Sequence, residues 1–257
     1  MLFSTGSGSP DITNAGDYIF RNLASDDFTA KGIANIAIKN GDKKMIIISE
    51  ETDYATALRK TFEKYYKEQG GEIVLDESFT KNSTDFHTIL TKTKNQGTRN
   101  IYVITQTYKT SGLILKQMKE LGLEPKIYTN EASINEEALK YYDASYKELL
   151  EGAIFTQPKF DEKNPKTAKM LEEYTAKYGS TKGPLPASYL ATSYDAVNLM
   201  GEAIMKNGYD TEKAKNYFYT IKNWDGTIGK FSFDPNGDAI TDIESKIVKN
   251  GTIVDLN

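Results

Sequence analysis

Histidine and cysteine, the side chains most often recruited as nucleophiles, bases and metal ligands, are almost missing from this chain: there is one His and no Cys. Without cysteine there are no disulfides, thiolate metal sites or thiol nucleophiles. A Ser-His-Asp triad or a histidine-rich zinc site would have to use His87. The stripe formed by Phe86, Ile89 and Leu90 turns inward and leaves His87 on the polar, solvent side of its helix. The chain is therefore not expected to be an enzyme, to hold a metal or to need a cofactor.

Two other stretches invite chemistry. The opening Ser4-Thr5-Gly6-Ser7-Gly8-Ser9-Pro10-Asp11-Ile12-Thr13 has the glycines of a phosphate cradle. A dinucleotide loop needs a third glycine with a helix directly behind it, and a P-loop needs Gly-Lys-Ser/Thr; here Pro10 and Asp11 intervene. Asp234-Pro235-Asn236-Gly237-Asp238 has the oxygen ligands of a calcium loop, but its glycine stands too early and the distal glutamate is missing. Asn-Gly is a strong turn pair, so a hairpin turn is expected there. The 17 tyrosines lie mostly at helical spacing, which fits core and rim packing.

The elements that must position any site alternate from residue 28 onward. Apolar spacing predicts helices over 28–39, 53–68, 84–94, 110–121 and 135–142. Between them run short β-branched or apolar strands over 45–49, 72–75, 100–105, 126–129 and 152–156. Such alternation builds a mainly parallel, doubly wound α/β sheet, whose ligands bind at the carboxyl ends of the strands. The loops after Ser49, Thr105 and Thr129 are selected on that ground alone. Beyond Gln157 the rhythm changes to helices over 165–178, 187–207 and 211–219, the first two separated by residues 179–184. Strands over 229–233 and 243–248 are expected to pair as a closing hairpin around the Asn236-Gly237 turn, with a further tight turn at Asn250-Gly251. These late helices have few strands to cover, so either they share the first sheet or part of a second sheet is missing.

At 257 residues and a net charge of −4, with both signs interspersed, the chain suits one large domain or two modest lobes. No basic block marks a nucleic-acid footprint. No apolar run approaches the roughly 20 residues that span a bilayer. Met1-Leu2-Phe3, ahead of the opening loop, is too short for a signal peptide.

Four stretches together resemble the type I periplasmic solute-binding proteins, and most closely the leucine/isoleucine/valine-binding proteins that serve ABC importers. They are the small-residue loop Leu2–Thr13, the strand Tyr18-Ile19-Phe20-Arg21-Asn22, the segment Asp85–Lys94 and the turn region Phe231–Asp238. The resemblance extends over essentially the whole chain. It implies a two-lobed fold with parallel doubly wound sheets and an incomplete first lobe. Residues 1–21 and 158–238 would form partial lobe 1, and 22–157 and 239–257 lobe 2, with crossings near Arg21, Gln157 and Asp238. Unpaired strand edges in that lobe would favour a homodimer.

The resemblance also implies a non-enzymatic, extracytoplasmic protein, periplasmic or extracellular and membrane-associated. It would clamp an amino acid or related small polar solute and hand it to an ABC permease. Glu131 matches the family's glutamate for the ligand ammonium, where the residues alone leave open a solvated carboxylate or a helix cap, a part better played by Ser133. Tyr54 matches a tyrosine that covers the ligand; packing through the 54/58/62 stripe is the competing role. Thr107 stands where branched-chain receptors have a second tyrosine, leaving a wider pocket or a space filled by Gln106 or Tyr108. Gly6, Ser7 and Gly8 match the segment whose backbone and hydroxyl groups face the ligand; Gly8 replaces a threonine, a loss that Ser7 or Ser9 could make good. The alternatives are a ligand-sensing or regulatory module on the same fold, or a shortened form without binding activity.

Overall fold

The computed structural model of the protein describes residues 1–181 and 186–256, so residues 182–184 of the expected inter-helix loop lie outside the described part. The chain forms two compact units, Met1–Ser25 with Pro158–Asp242 and Asp26–Gln157 with Ile243–Asn257. The first unit opens with β1 (Leu2–Ser4) and β2 (Ile19–Arg21). The second begins with α1 (Asp26–Lys39), β3 (Lys44–Glu50), α2 (Asp53–Glu68), β4 (Glu72–Phe79) and α3 (His87–Thr93). It continues through β5 (Asn100–Ile104), α4 (Tyr108–Glu120), β6 (Lys126–Asn130), α5 (Glu136–Tyr141), α6 (Ala144–Lys147) and β7 (Ile154–Pro158). The first unit resumes with α7 (Pro165–Tyr178), α8 (Ala187–Asn207), α9 (Thr211–Thr220), β8 (Trp224–Gly226), β9 (Gly229–Phe233) and β10 (Ala239–Ile240). Finally β11 (Ile243–Lys249) and β12 (Thr252–Asp255) return to the second.

In the second unit the order is β12-β11-β7-β6-β5-β3-β4. The pairs β4–β3, β3–β5, β5–β6 and β6–β7 are all parallel. Strand side chains alternate between two buried layers, as a period of two requires. Ile46, Ile48, Ile101, Val103 and Ile127 face one core; Met45, Ile47, Tyr102, Ile104 and Tyr128 face the other. This two-sided burial explains why these strands read as continuous apolar runs. The chain steps outward from β3 to β4 and then returns past β3 to β5. That reversal opens a crevice at the carboxyl ends of β3 and β5, where sheets of this kind take ligands.

Helix α2 shows how the sequence sets one of these elements. Thr52 caps its start by accepting the Ala55 N–H at 3.2 Å, and Ala55, Leu58, Phe62 and Tyr66 form its buried stripe. Gly70 adopts φ +84°, and a Cβ on Gly71 would lie 2.5 Å from the Tyr66 ring, so the Gly-Gly pair both ends the helix and lets the chain pass.

The first unit has a parallel β1–β2 pair, a three-stranded β10-β9-β8 sheet and a core of Phe20, Leu199, Phe218, Phe231 and Phe233. Phe20 meets Phe218 and Phe233 edge-on, with centroids 5.1 and 5.3 Å apart. Beside them lies the fully buried Arg21. Its Nε and Nη2 donate to the Asp238 carboxylate at 2.6 and 2.8 Å, Nη1 donates to the Ser9 carbonyl at 2.6 Å and Nη2 to Thr13 Oγ1 at 2.8 Å. The opening loop is thereby fastened to the turn before β10, with every charged atom paired. Gly237 completes that turn at φ +81°, where a Cβ would stand 2.3 Å from the Ile19 carbonyl.

One expectation is corrected. The strand over 243–248 does not pair back onto β9: β9 pairs with the two-residue β10, and β11 lies between β7 and β12 in the other unit. A turn at Asn236-Gly237 predicts a hairpin but not how many residues of it are strand, and the alternating pattern of 243–248 suits either sheet. The Asn250-Gly251 turn does close a hairpin, β11–β12, with φ of +53° and +70°. Among the described residues no helix is long and apolar enough to cross a membrane.

Candidate functional site

In a β/α unit the helices run antiparallel to the strands, so their N-termini and the strand carboxyl ends share one edge. Three acidic or phenolic side chains meet at that edge of the second unit. Asp26 begins α1, Tyr54 sits in the first turn of α2, and Glu131 follows β6; all three line one small cavity with Thr29, Asn130 and Thr156. Thr156 Oγ1 in the middle of β7 donates to the Thr29 carbonyl at 2.8 Å, which ties the first turn of α1 to the sheet. Thr129 Oγ1 likewise donates to the Val103 carbonyl at 2.8 Å and fixes the end of β6.

Asn130 is the joint of the site. Buried at 5% exposure, it accepts at Oδ1 from the Thr105 N–H at 3.2 Å and from Ser133 Oγ at 2.5 Å. Its Nδ2 donates to the Thr105 carbonyl at 2.9 Å and to the Tyr54 hydroxyl at 3.1 Å. The side chain thus uses both acceptor and both donor positions.

Electrostatically the cavity is one-sided: no Lys, Arg or His is among the described residues that line it. Desolvation, reinforced by the negative charge of Asp26, lifts the Glu131 carboxyl from its ordinary 4.5 to about 8. Desolvation first, then Glu131 and Asp26, also push the Tyr54 phenol well up, so it stays a neutral hydroxyl. Such a pocket suits a cation, which would restore the carboxylate by supplying the missing charge. Nothing here presents a nucleophile beside a base, and among the described residues no cluster of His, Cys, Asp or Glu could hold a metal ion.

The structure brings Tyr54 and Glu131 together in this cavity. Glu131 does not cap the following helix, and neither does Ser133: the cap of α5 is Asn135, which accepts the Ala138 N–H at 2.9 Å. Thr107 is exposed and is the cap of α4, accepting the Thr110 N–H at 3.3 Å; it does not line the cavity. Gly6, Ser7 and Gly8 belong to the other unit, where Ser7 donates its N–H to Ser4 Oγ at 3.4 Å and Ser9 caps the turn that follows. The Thr5 carbonyl in the same loop accepts from Thr192 Oγ1 at 2.8 Å. His87 is half-exposed and held by Asp85 at 2.7 Å, as its polar position implied.

Asp26 and Asn130 escaped the sequence reading. Asp26-Asp27 looks like ordinary acidic enrichment at a helix start, and the strand-end rule points to loops after strands, not to a helix that precedes one. Asn130 sits within a selected loop, but its four partners come from three separate segments.

With this geometry in hand, known proteins can be compared. The family model described as periplasmic binding protein matches residues 1–249. The leucine-, isoleucine-, valine-, threonine- and alanine-binding protein of Pseudomonas aeruginosa is 24% identical over 241 residues, covering 93% of this chain and 62% of that protein. The chain thus spans less than two thirds of the curated relatives it matches. A leucine binding protein from Thermotoga maritima superposes with a TM-score of 0.79 at 27% identity, over 99% of this chain and 71% of that one. An ABC transporter substrate-binding protein from Desulfitobacterium hafniense in complex with Leu gives 0.71 at 28% identity, over 99% and 72%. The parallel sheet, the match over nearly the full chain and these structural likenesses agree that the chain belongs to the periplasmic binding protein family, type I.

Proposed function

We propose that this chain is the solute-binding component of an ABC importer and that the second unit captures its ligand by an ammonium group. The observation that carries this reading is the convergence of the Asp26 and Glu131 carboxyls with the Tyr54 hydroxyl on a cavity whose lining has no basic side chain. A carboxyl lifted to about 8 is a poor resident by itself and a good partner for a cation. The names of the relatives point to leucine and other small neutral amino acids as the ligand class. Delivery to a membrane permease on the outer side of the membrane follows from the same likeness.

Calorimetric titration with a panel of free amino acids tests the proposal. Leucine-type ligands bind, and Glu131→Gln weakens them by roughly tenfold to a hundredfold, the share of one charge-assisted hydrogen bond. Failure of every amino acid to bind, or unchanged affinity in Glu131→Gln, would contradict it.

A further inference from the structure

We infer that Asn130 is a positioning residue that turns Tyr54 into a hydrogen-bond donor toward the bound ligand; this rests on the binding reading above and adds a second requirement to it. Two backbone groups of one residue fix the direction of the Asn130 amide. The Thr105 N–H can only donate, so the amide atom facing it, at 3.2 Å, is the oxygen. The Thr105 carbonyl can only accept, so the atom facing it, at 2.9 Å, is the nitrogen. A flipped amide would oppose donor to donor and acceptor to acceptor inside a buried site. The Ser133 hydroxyl, 2.5 Å from Oδ1, donates to it in this orientation.

The remaining N–H of Nδ2 therefore points at the Tyr54 oxygen, 3.1 Å away, and donates to it. A phenol oxygen that accepts on one side keeps its own hydrogen for the other. Tyr54 lines the cavity of Asp26 and Glu131, so that hydrogen is available there. The carboxyls accept from the ligand's ammonium while Tyr54 donates to an acceptor close to it. The ligand class this selects is an ammonium with an adjacent acceptor oxygen, as in an α-amino acid, in preference to a plain alkylamine.

The test is a double-mutant cycle of Asn130→Asp and Tyr54→Phe, titrated with leucine and with isoamylamine, which has the same branched chain and ammonium but no carboxylate. A carboxylate at position 130 still accepts from the Thr105 N–H and from Ser133. It loses the bond to the Thr105 carbonyl in both Tyr54 backgrounds, and it draws the Tyr54 proton to itself. The charge it adds acts in both Tyr54 backgrounds and cancels in the cycle. The expected coupling is about tenfold for leucine, near the share of one buried hydrogen bond, and none for isoamylamine. Asn130→Ala, which removes the donor without adding charge, gives the same pattern should the first variant fold poorly. The tyrosine ring doublet in a Raman difference spectrum, isolated by subtracting the Tyr54→Phe protein, moves with Asn130→Asp. Additive effects on leucine, or an unmoved doublet, would overturn the inference while leaving ammonium capture by Glu131 standing. Leucine binding indifferent to Glu131→Gln would instead overturn the reading beneath it.

Discussion

In the proposed site, Glu131 and Asp26 are two like-charged groups that would favour a cation. Burial raises the Glu131 pKa to about 8, and the groups that face it are Asp26 from α1, Tyr54 from α2 and Tyr102 from β5, none of them basic. Below that value the free protein carries a proton on Glu131 which an arriving ammonium must displace. Affinity for an ammonium ligand is therefore expected to rise with pH up to about 8 and then level off, with proton release measurable by calorimetry in buffers of different ionisation enthalpy. The stability of the ligand-free protein runs the opposite way. A carboxyl whose folded pKa lies above its unfolded 4.5 contributes stability below that pH, and this is lost as pH rises through about 8. Glu131→Gln should flatten the fall, as thermal melts across that window will show. Of the cavity residues, Tyr54 and Glu131 could be picked from the sequence because a strand-end loop and a family pattern both pointed at them. Asn130 could not, since its meaning depends on Thr105 and Ser133 arriving beside it.

At the level of elements, the strands of the second unit were legible because both faces are buried, so β3 and β5 read as apolar runs. The helices followed from stripes such as Ala55, Leu58, Phe62 and Tyr66 in α2. What the pattern left undetermined was pairing, as the exchange of partners by β9 and β11 illustrates: local alternation fixes a strand's face, not its neighbour. Expected helix 84–94 is shorter as well: it begins at His87, with Phe86 as its cap at φ −119° and ψ 3° and its N–H donating to Gln117 Oε1 at 2.6 Å. Phe62, wholly buried between α2 and the sheet and 4.6 Å from Tyr102, is the residue whose loss should be felt most there. Phe62→Ala is expected to cost about 3–5 kcal/mol. Thr52→Ala, removing the α2 cap, should cost about 1 kcal/mol. Denaturant unfolding measures both.

On the scale of the whole molecule, each unit has its own core and its own polar fastening. In the first, Arg21 gathers the opening loop, β2 and the turn before β10 on the Asp238 carboxylate. Because the pair is fully buried, leaving one partner without the other is far worse than having neither. Asp238→Ala is expected to destabilise the first unit by about 3–5 kcal/mol. Amide exchange should quicken in β9 and β10 first; protection unchanged there would show that the ion pair does not hold them. In the second unit the carboxyl edge of the sheet carries the cavity, which we propose acts as a cation receptor. That claim is tested most directly by titrating the protein with leucine and with isocaproate, which keeps the side chain and carboxylate but has no amino group. Leucine should bind with measurable heat and isocaproate should not bind detectably; equal affinity for the two would contradict capture by the ammonium group.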